Sequence, residues 1–191
     1  MRGIALLSIA ASLLYVPLKS GAEESVVWKN VGSWKIAVDT TLGYGCFMMA
    51  SYTHGEVFRI GFDRRSNDAY FILGNDAWKS LEVGQKYDIS LKFDADSPWT
   101  GGARAINMGT GVPFLYLSFD KIGFLKDISV KNSVSVYYGG KLVSTLPLTG
   151  TVEAMNAVVD CQQQIEQLKA EGASNSDPFA NQRPVSDPFR R

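Results

Sequence analysis

Tyr87, Ile89, Leu91 and Phe93 alternate strictly with Asp88, Ser90 and Lys92, and this short run constrains the chain more than any other. A strand sends successive side chains to opposite faces, so the pattern describes an antiparallel strand with one dry and one wet face. The same period of two recurs from Trp34 to Leu148. Trp34, Ile36 and Val38 share a face. A run from Cys46 to Tyr52 reverses at Thr53-His54-Gly55 into a second run, where Val57, Arg59 and Gly61 oppose Phe58, Ile60 and Phe62. Shorter strands are expected at 69–74, 103–108 and 113–119, with a loop at 75–84. The runs 133–138 and 141–146 meet across Gly139-Gly140, two residues suited to the positive φ of a tight hairpin turn.

Two segments carry helical spacing instead. Residues 120–130 place Ile122, Phe124, Leu125 and Ile128 on one side. Residues 151–170 begin at Thr151 as a cap, carry Glu153 in the first turn and present Met155, Val158, Val159, Ile165 and Leu168 as a stripe, with Gly172 as the stop. The expected fold is mainly β: an antiparallel β-sandwich or barrel-like domain of roughly seven to nine strands with a C-terminal α-helix and a short inserted helix.

Residues 1–22 read as a secretory signal peptide, with Arg2, an apolar block from Ile4 to Val16 and small residues before a cleavage expected ahead of Glu23. The block is about 13 residues, against about 20 needed to cross a bilayer, so no stable membrane anchor is expected after cleavage. Removing Arg2 and Lys19 leaves 17 basic against 19 acidic residues, a net charge of −2. That balance argues against a nucleic-acid partner. The hydrophobic content of 46% suits one packed core, so residues 23–171 read as a single β-rich domain. Residues 172–191 turn to Ser, Asn, Asp, Pro, Gln and Arg, the composition of a disordered tail. The tail writes Ser-Asp-Pro-Phe twice, which makes Phe179 and Phe189 candidate docking residues.

Cys46 and Cys161 are the two cysteines of an exported chain, and a single disulfide between an early strand and the C-terminal helix is the expectation. The search for chemistry yields little. His54, the sole histidine, sits in a turn and is expected to be exposed, and no Gly-x-Ser-x-Gly elbow accompanies it. Asp94 and Asp96 form a fragment of a calcium loop without its glycine and closing glutamate, and read as a solvated turn. No metal site and no cofactor are expected. Trp78 and Trp99 fall in segments read as loops, where an aromatic ring suits contact with a partner. The competing reading has each ring plug an open end of the sheet.

Trp34-Lys-Ile, Gly45-Cys46, Arg59-Ile-Gly-Phe-Asp63, Trp78-Lys-Ser-Leu-Glu-Val-Gly84 with Tyr87, Trp99-Thr-Gly101 and a late helical Cys161 follow one another in a recognisable order. The succession resembles small exported β-rich proteins of alphaproteobacteria and is more distantly similar to the invasion-associated locus B type. The resemblance implies a periplasmic or secreted β-sandwich-like protein without known catalysis, and it transfers no active-site residues. The functional expectation is a non-enzymatic binding protein of the bacterial cell envelope, with a protein or envelope ligand as its partner. The alternatives are an inhibitor or immunity protein for an envelope enzyme, and a secreted hydrolase using His54.

Overall fold

The structure is a computed structural model and describes residues 25–109, 111–119 and 123–175. Ten strands follow in chain order: β1 (Ser25–Val31), β2 (Trp34–Asp39), β3 (Gly45–Ser51), β4 (Glu56–Asp63), β5 (Asp68–Asn75), β6 (Lys86–Phe93), β7 (Trp99–Asn107), β8 (Pro113–Phe119), β9 (Ser133–Tyr138) and β10 (Lys141–Pro147). Helix α1 (Gly123–Ser129) lies between β8 and β9, and α2 (Thr151–Asn175) follows β10.

All strands join one antiparallel sheet in the order β1-β2-β3-β4-β5-β8-β7-β6-β9-β10. The first five form a meander. A second meander, β6 to β8, docks through β8 onto β5, and the β9–β10 hairpin docks through β9 onto β6. The sheet does not close, so β1 and β10 are its edges. It does curl: Phe58 and Phe71 of the first meander pack against Phe93, Val134, Val136 and Leu146 of the other half. The core therefore sits inside a sandwich-like fold of a single sheet, as the period-two pattern implies.

Helix α2 packs on the inner face of β1, β2 and β3. Cys46 and Cys161 are bonded, with Cα atoms 6.1 Å apart. One residue on from Cys161, Gln162 Oε1 accepts the Cys46 N–H at 2.8 Å, and the Trp28 indole donates to Gln164 Oε1 at 2.8 Å. Trp34, 2% exposed, donates its indole N–H to the Thr149 carbonyl at 2.9 Å just before the helix. The expected disulfide is thus one of several ties along the same seam.

Several local expectations need correction. Strand β1 lies ahead of the first strand read from the sequence. Trp99 is not in a loop but opens β7. Thr151 does not act as an acceptor cap; its hydroxyl donates to the Leu148 carbonyl and ties the helix start to the end of β10. Gly172 does not stop α2, which continues to Asn175. Only a glycine that takes up positive φ ends a helix in the usual way, and Gly172 is not among the positive-φ glycines. The buried stripe of α2 is Ala154, Met155, Ala157, Val158 and Cys161, whereas Val159 and Leu168 are exposed. In α1, Phe124, Leu125 and Ile128 are buried as expected, and residues 120–122 lie outside the described residues. The signal peptide at 1–22 and the tail residues Phe179 and Phe189 also lie outside them.

Candidate functional site

Trp78 is delivered by the end of β5. Asn75 Oδ1 accepts the Ala77 N–H at 2.8 Å, and its Nδ2 donates to the His54 carbonyl at 3.0 Å, so the chain turns tightly and is held to the β3–β4 turn. The Trp78 N–H then closes onto the Asn75 carbonyl at 2.9 Å. The half-buried indole lines an apolar groove of about 220 Å³ with Leu81, Tyr87, Ile89, Tyr138 and Val143. Tyr87 is fixed there, its hydroxyl accepting the Glu82 N–H at 2.9 Å and its ring meeting Tyr138 edge-on at 5.8 Å. Tyr138 is 52% exposed and Val143 37%. Val143 sits in the β10 bulge between Leu142 and Ser144, the irregularity by which an edge strand re-aims a side chain.

Polar contacts brace this wall. Ser144 donates to Glu56 Oε1 at 3.3 Å, while Glu56 Oε2 is buried and unpartnered among the described residues. Tyr52 donates to the Pro147 carbonyl at 3.0 Å. Burial first, and then the Glu56 charge, push the Tyr52 phenol up to about 12.

Trp99 stands apart from Trp78. It pairs with Leu91 on β6, whereas Tyr87 pairs with Ala103, and four residues of strand separate the two positions by about 13 Å. Its ring meets Phe124 at 4.6 Å, and Phe124 stacks on Phe119 at 4.1 Å. The indole is 43% exposed and lines shallow recesses on either side of that aromatic cluster. The structure therefore does not bring the two tryptophans together in one site.

The outer face of the sheet holds a second apolar cluster and a buried charge that strand periodicity did not reveal. Lys35, Met49, Arg59, Ile72, Tyr116 and Arg104 are cross-strand neighbours in one row over β2, β3, β4, β5, β8 and β7. Arg59 lies 3.5 Å above the Phe47 ring, donates from Nε to the Tyr70 hydroxyl at 2.7 Å and from Nη2 to Asp39 Oδ2. Asp39 Oδ1 in turn accepts the Thr41 N–H at 2.8 Å, the Thr41 hydroxyl and the Leu42 N–H at 3.1 Å. Burial alone would raise the Asp39 pKa, but these hydrogen bonds and the Arg59 charge hold it below the usual carboxylate value. Burial drives the Tyr70 phenol well above its ordinary value.

Phe47 can occupy this seat because its neighbour on β4 is Gly61, where a Cβ would fall 2.5 Å from Phe47 Cβ. Above the row opens a cleft of about 430 Å³, walled by Leu42, Met49, Ile106, Met108 and Tyr116 with Lys35 on its rim. Arg59 Nη1 has no hydrogen-bond partner among the described residues, yet it is not a buried unpartnered atom, so it is open to the cleft. The planar guanidinium fork of Arg59 thus presents hydrogen-bond donors beside apolar groups, an arrangement suited to holding an anion. One signal was readable: Phe47, Met49, Tyr70, Ile72 and Tyr116 give the outward positions of β3, β5 and β8 apolar side chains, like the inward ones.

His54 is exposed, with Nδ1 3.4 Å from Thr53 Oγ1. Asp94 accepts the N–H groups of Asn132 and Ser133, which hold its carboxyl below the usual range, and Asp96 pairs with Lys131 at 2.7 Å. This turn fastens the end of β6 to the start of β9. Among the described residues no group of three or more His, Cys, Asp or Glu side chains is placed to hold a metal.

No family model matches the chain, and no curated protein matches it. Among solved structures it is similar to the crystal structure of invasion associated protein B from Bartonella henselae. The TM-score is 0.52 and the identity 12%, over 71% of this chain and 97% of the other. That likeness is one of fold, and it agrees with the distant similarity read from the order of motifs.

Proposed function

We propose that this chain is an exported, non-enzymatic interaction protein of the bacterial cell envelope, which engages a protein partner through the groove around Trp78. The observation that carries the reading is the apolar rim. Tyr138 and Val143 are exposed on the wall of an aromatic groove whose floor is continuous with the core, and the exposed Leu142 precedes Val143 on the same edge strand. Large apolar side chains gathered at a concave site mark interaction surfaces more often than inert ones, and aromatic anchors dominate such contacts. The Cys46–Cys161 bond suits an oxidising compartment, and the solved structure of similar fold is that of an invasion-associated protein.

The test is affinity capture from envelope extracts with the wild type, Tyr138→Ala, Val143→Glu and His54→Ala. Both groove variants are expected to lose a partner that His54→Ala retains, with unchanged unfolding midpoints showing that the fold persists. A partner list identical in all four forms removes the groove from the reading. An activity found in the wild type and abolished in His54→Ala overturns the non-enzymatic assignment.

A further inference from the structure

The outer-face cleft offers the Nη1 side of the Arg59 guanidinium, whose Nη2 is held by the Asp39 carboxylate, together with a rim ammonium and apolar walls on a face remote from the Trp78 groove. It calls for an occupant that sets an acidic group beside an aromatic one. Helix α2 passes near its mouth at Lys169, which donates to the Gly43 carbonyl at 3.0 Å and lies over the Tyr44 ring, and Leu42, one residue before Gly43, walls the cleft. The chain that continues beyond α2 carries Asp-Pro-Phe twice.

Reach separates the two copies. From Lys169 the helix runs six residues further to Asn175, about 9 Å past its anchor at 1.5 Å per residue. A segment must recover that distance and pass around the sheet edge, on the order of 10 Å more by the packing thickness of a sheet. Phe179 is four residues beyond Asn175 and spans at most about 14 Å, a path with no slack. Phe189 is fourteen residues beyond it and spans up to about 50 Å.

We propose that the second triplet, Asp187-Pro188-Phe189, is a built-in ligand of the outer-face cleft, with the Asp187 carboxylate on Arg59 Nη1 and Lys35 and the Phe189 ring between Ile106 and Met108. Lys35 and Arg59 supply the positive charge, Asp39 on the cleft wall engages only the Nη2 side of the guanidinium, and Met49, Ile72 and Tyr116 supply the apolar complement. A tether of this length holds its own triplet at an effective concentration on the order of 1 mM, so a contact with a dissociation constant of about 100 μM is occupied about tenfold over empty. Any external ligand of the cleft then competes with the tail. The inference is independent of the Trp78 reading, since it uses the opposite face.

Two measurements on the full chain decide it. Carbodiimide coupling, read by mass spectrometry, is expected to join Lys35 to Asp187 in the wild type and in Phe179→Ala, but at least fivefold less in Phe189→Ala. In calorimetry, a synthetic peptide of residues 174–191 is expected to bind Phe189→Ala about tenfold more tightly than the wild type, and to lose that binding when Met108→Glu is added. Coupling unaffected by Phe189→Ala, or equal peptide affinity for wild type and variant, overturns the proposal. Coupling found only between differently labelled molecules assigns the tail to a second copy and overturns it as well. Partner capture through Tyr138 and Val143 is unaffected by any of these results, so failure here leaves the groove assignment standing.

Discussion

Asp39 and Arg59 face each other on the outer side of the sheet, one strand apart across β3, with side chains only 8% and 5% exposed. Their pairing is bound into the fold at both ends: the carboxylate organises the Thr41–Leu42 turn, and the guanidinium sits on the Phe47 ring. Removing one partner strands the other charge away from water.

Arg59→Met is therefore expected to lower unfolding stability by about 3–5 kcal/mol. Adding Asp39→Asn should recover part of that loss, because an amide still accepts the Thr41 and Leu42 N–H groups without carrying a buried charge. Urea midpoints of the two variants check this. The pH dependence has a definite sign. The Asp39 pKa is lowered in the fold from 3.8, so its contribution is complete above that value and is lost as the pH falls through the folded one. Asp39→Asn should flatten the acid limb below pH 4, and an unchanged acid limb would contradict the assignment.

Tyr52 gives the opposite limb. Its phenol is raised from 10.0 to about 12, so the fold favours the neutral form. That stability is complete below pH 10 and lost as the pH rises towards 12. Tyr52→Phe should cost about 1 kcal/mol at neutral pH through the lost bond to Pro147, while reducing the fall in stability between pH 10 and 12. Tyr70, more deeply buried, keeps its own contribution, so the slope should shrink without vanishing. Chemical denaturation at three alkaline pH values measures it.

The Cys46–Cys161 bond closes a loop with a sequence separation of 115, for which chain entropy alone gives a stabilisation of about 4.8 kcal/mol. Cys46→Ala/Cys161→Ala is expected to lose somewhat less, about 3–4 kcal/mol, because Gln162, Gln164 and Thr149 still fasten α2 to β3, β1 and β2. The loss should appear as a lower urea midpoint, with near-native circular dichroism in the absence of denaturant. Loss of that spectrum would mean the hydrogen-bonded seam cannot hold the helix unaided.

What the sequence made legible follows what is local. Strict alternation in β6 and the two positive-φ glycines between β9 and β10 act over a few residues, and two cysteines leave one pairing within the chain. The order β5-β8-β7-β6-β9 is set by contacts between distant strands, which spacing alone does not encode. Alternation places Arg59 on the face opposite Phe58 and Ile60, yet its burial depends on rings contributed by Phe47 and Tyr70 from neighbouring strands. Trp78 lies in a loop, as its surroundings in the sequence imply, while Trp99 opens β7, a strand start that Pro98 and Gly101 disguise.

That difference between the two tryptophans yields the last prediction. Trp99 meets Phe124 edge-on, and Phe124 is itself 2% exposed and stacked on Phe119, so the indole seals α1 against the inner core. Its aromatic contact is worth roughly 0.5–1.5 kcal/mol beyond the area it covers, and its truncation is a stability defect located at α1. Trp99→Ala should lower the unfolding midpoint and speed amide exchange at Phe124, Leu125 and Ile128, while leaving partner capture as in the wild type. Trp78→Ala should lose capture, its stability loss confined to the 75–84 segment. Loss of capture in Trp99→Ala with unchanged exchange in α1 would reverse these roles and move the contact surface to the aromatic cluster of Trp99, Phe119 and Phe124.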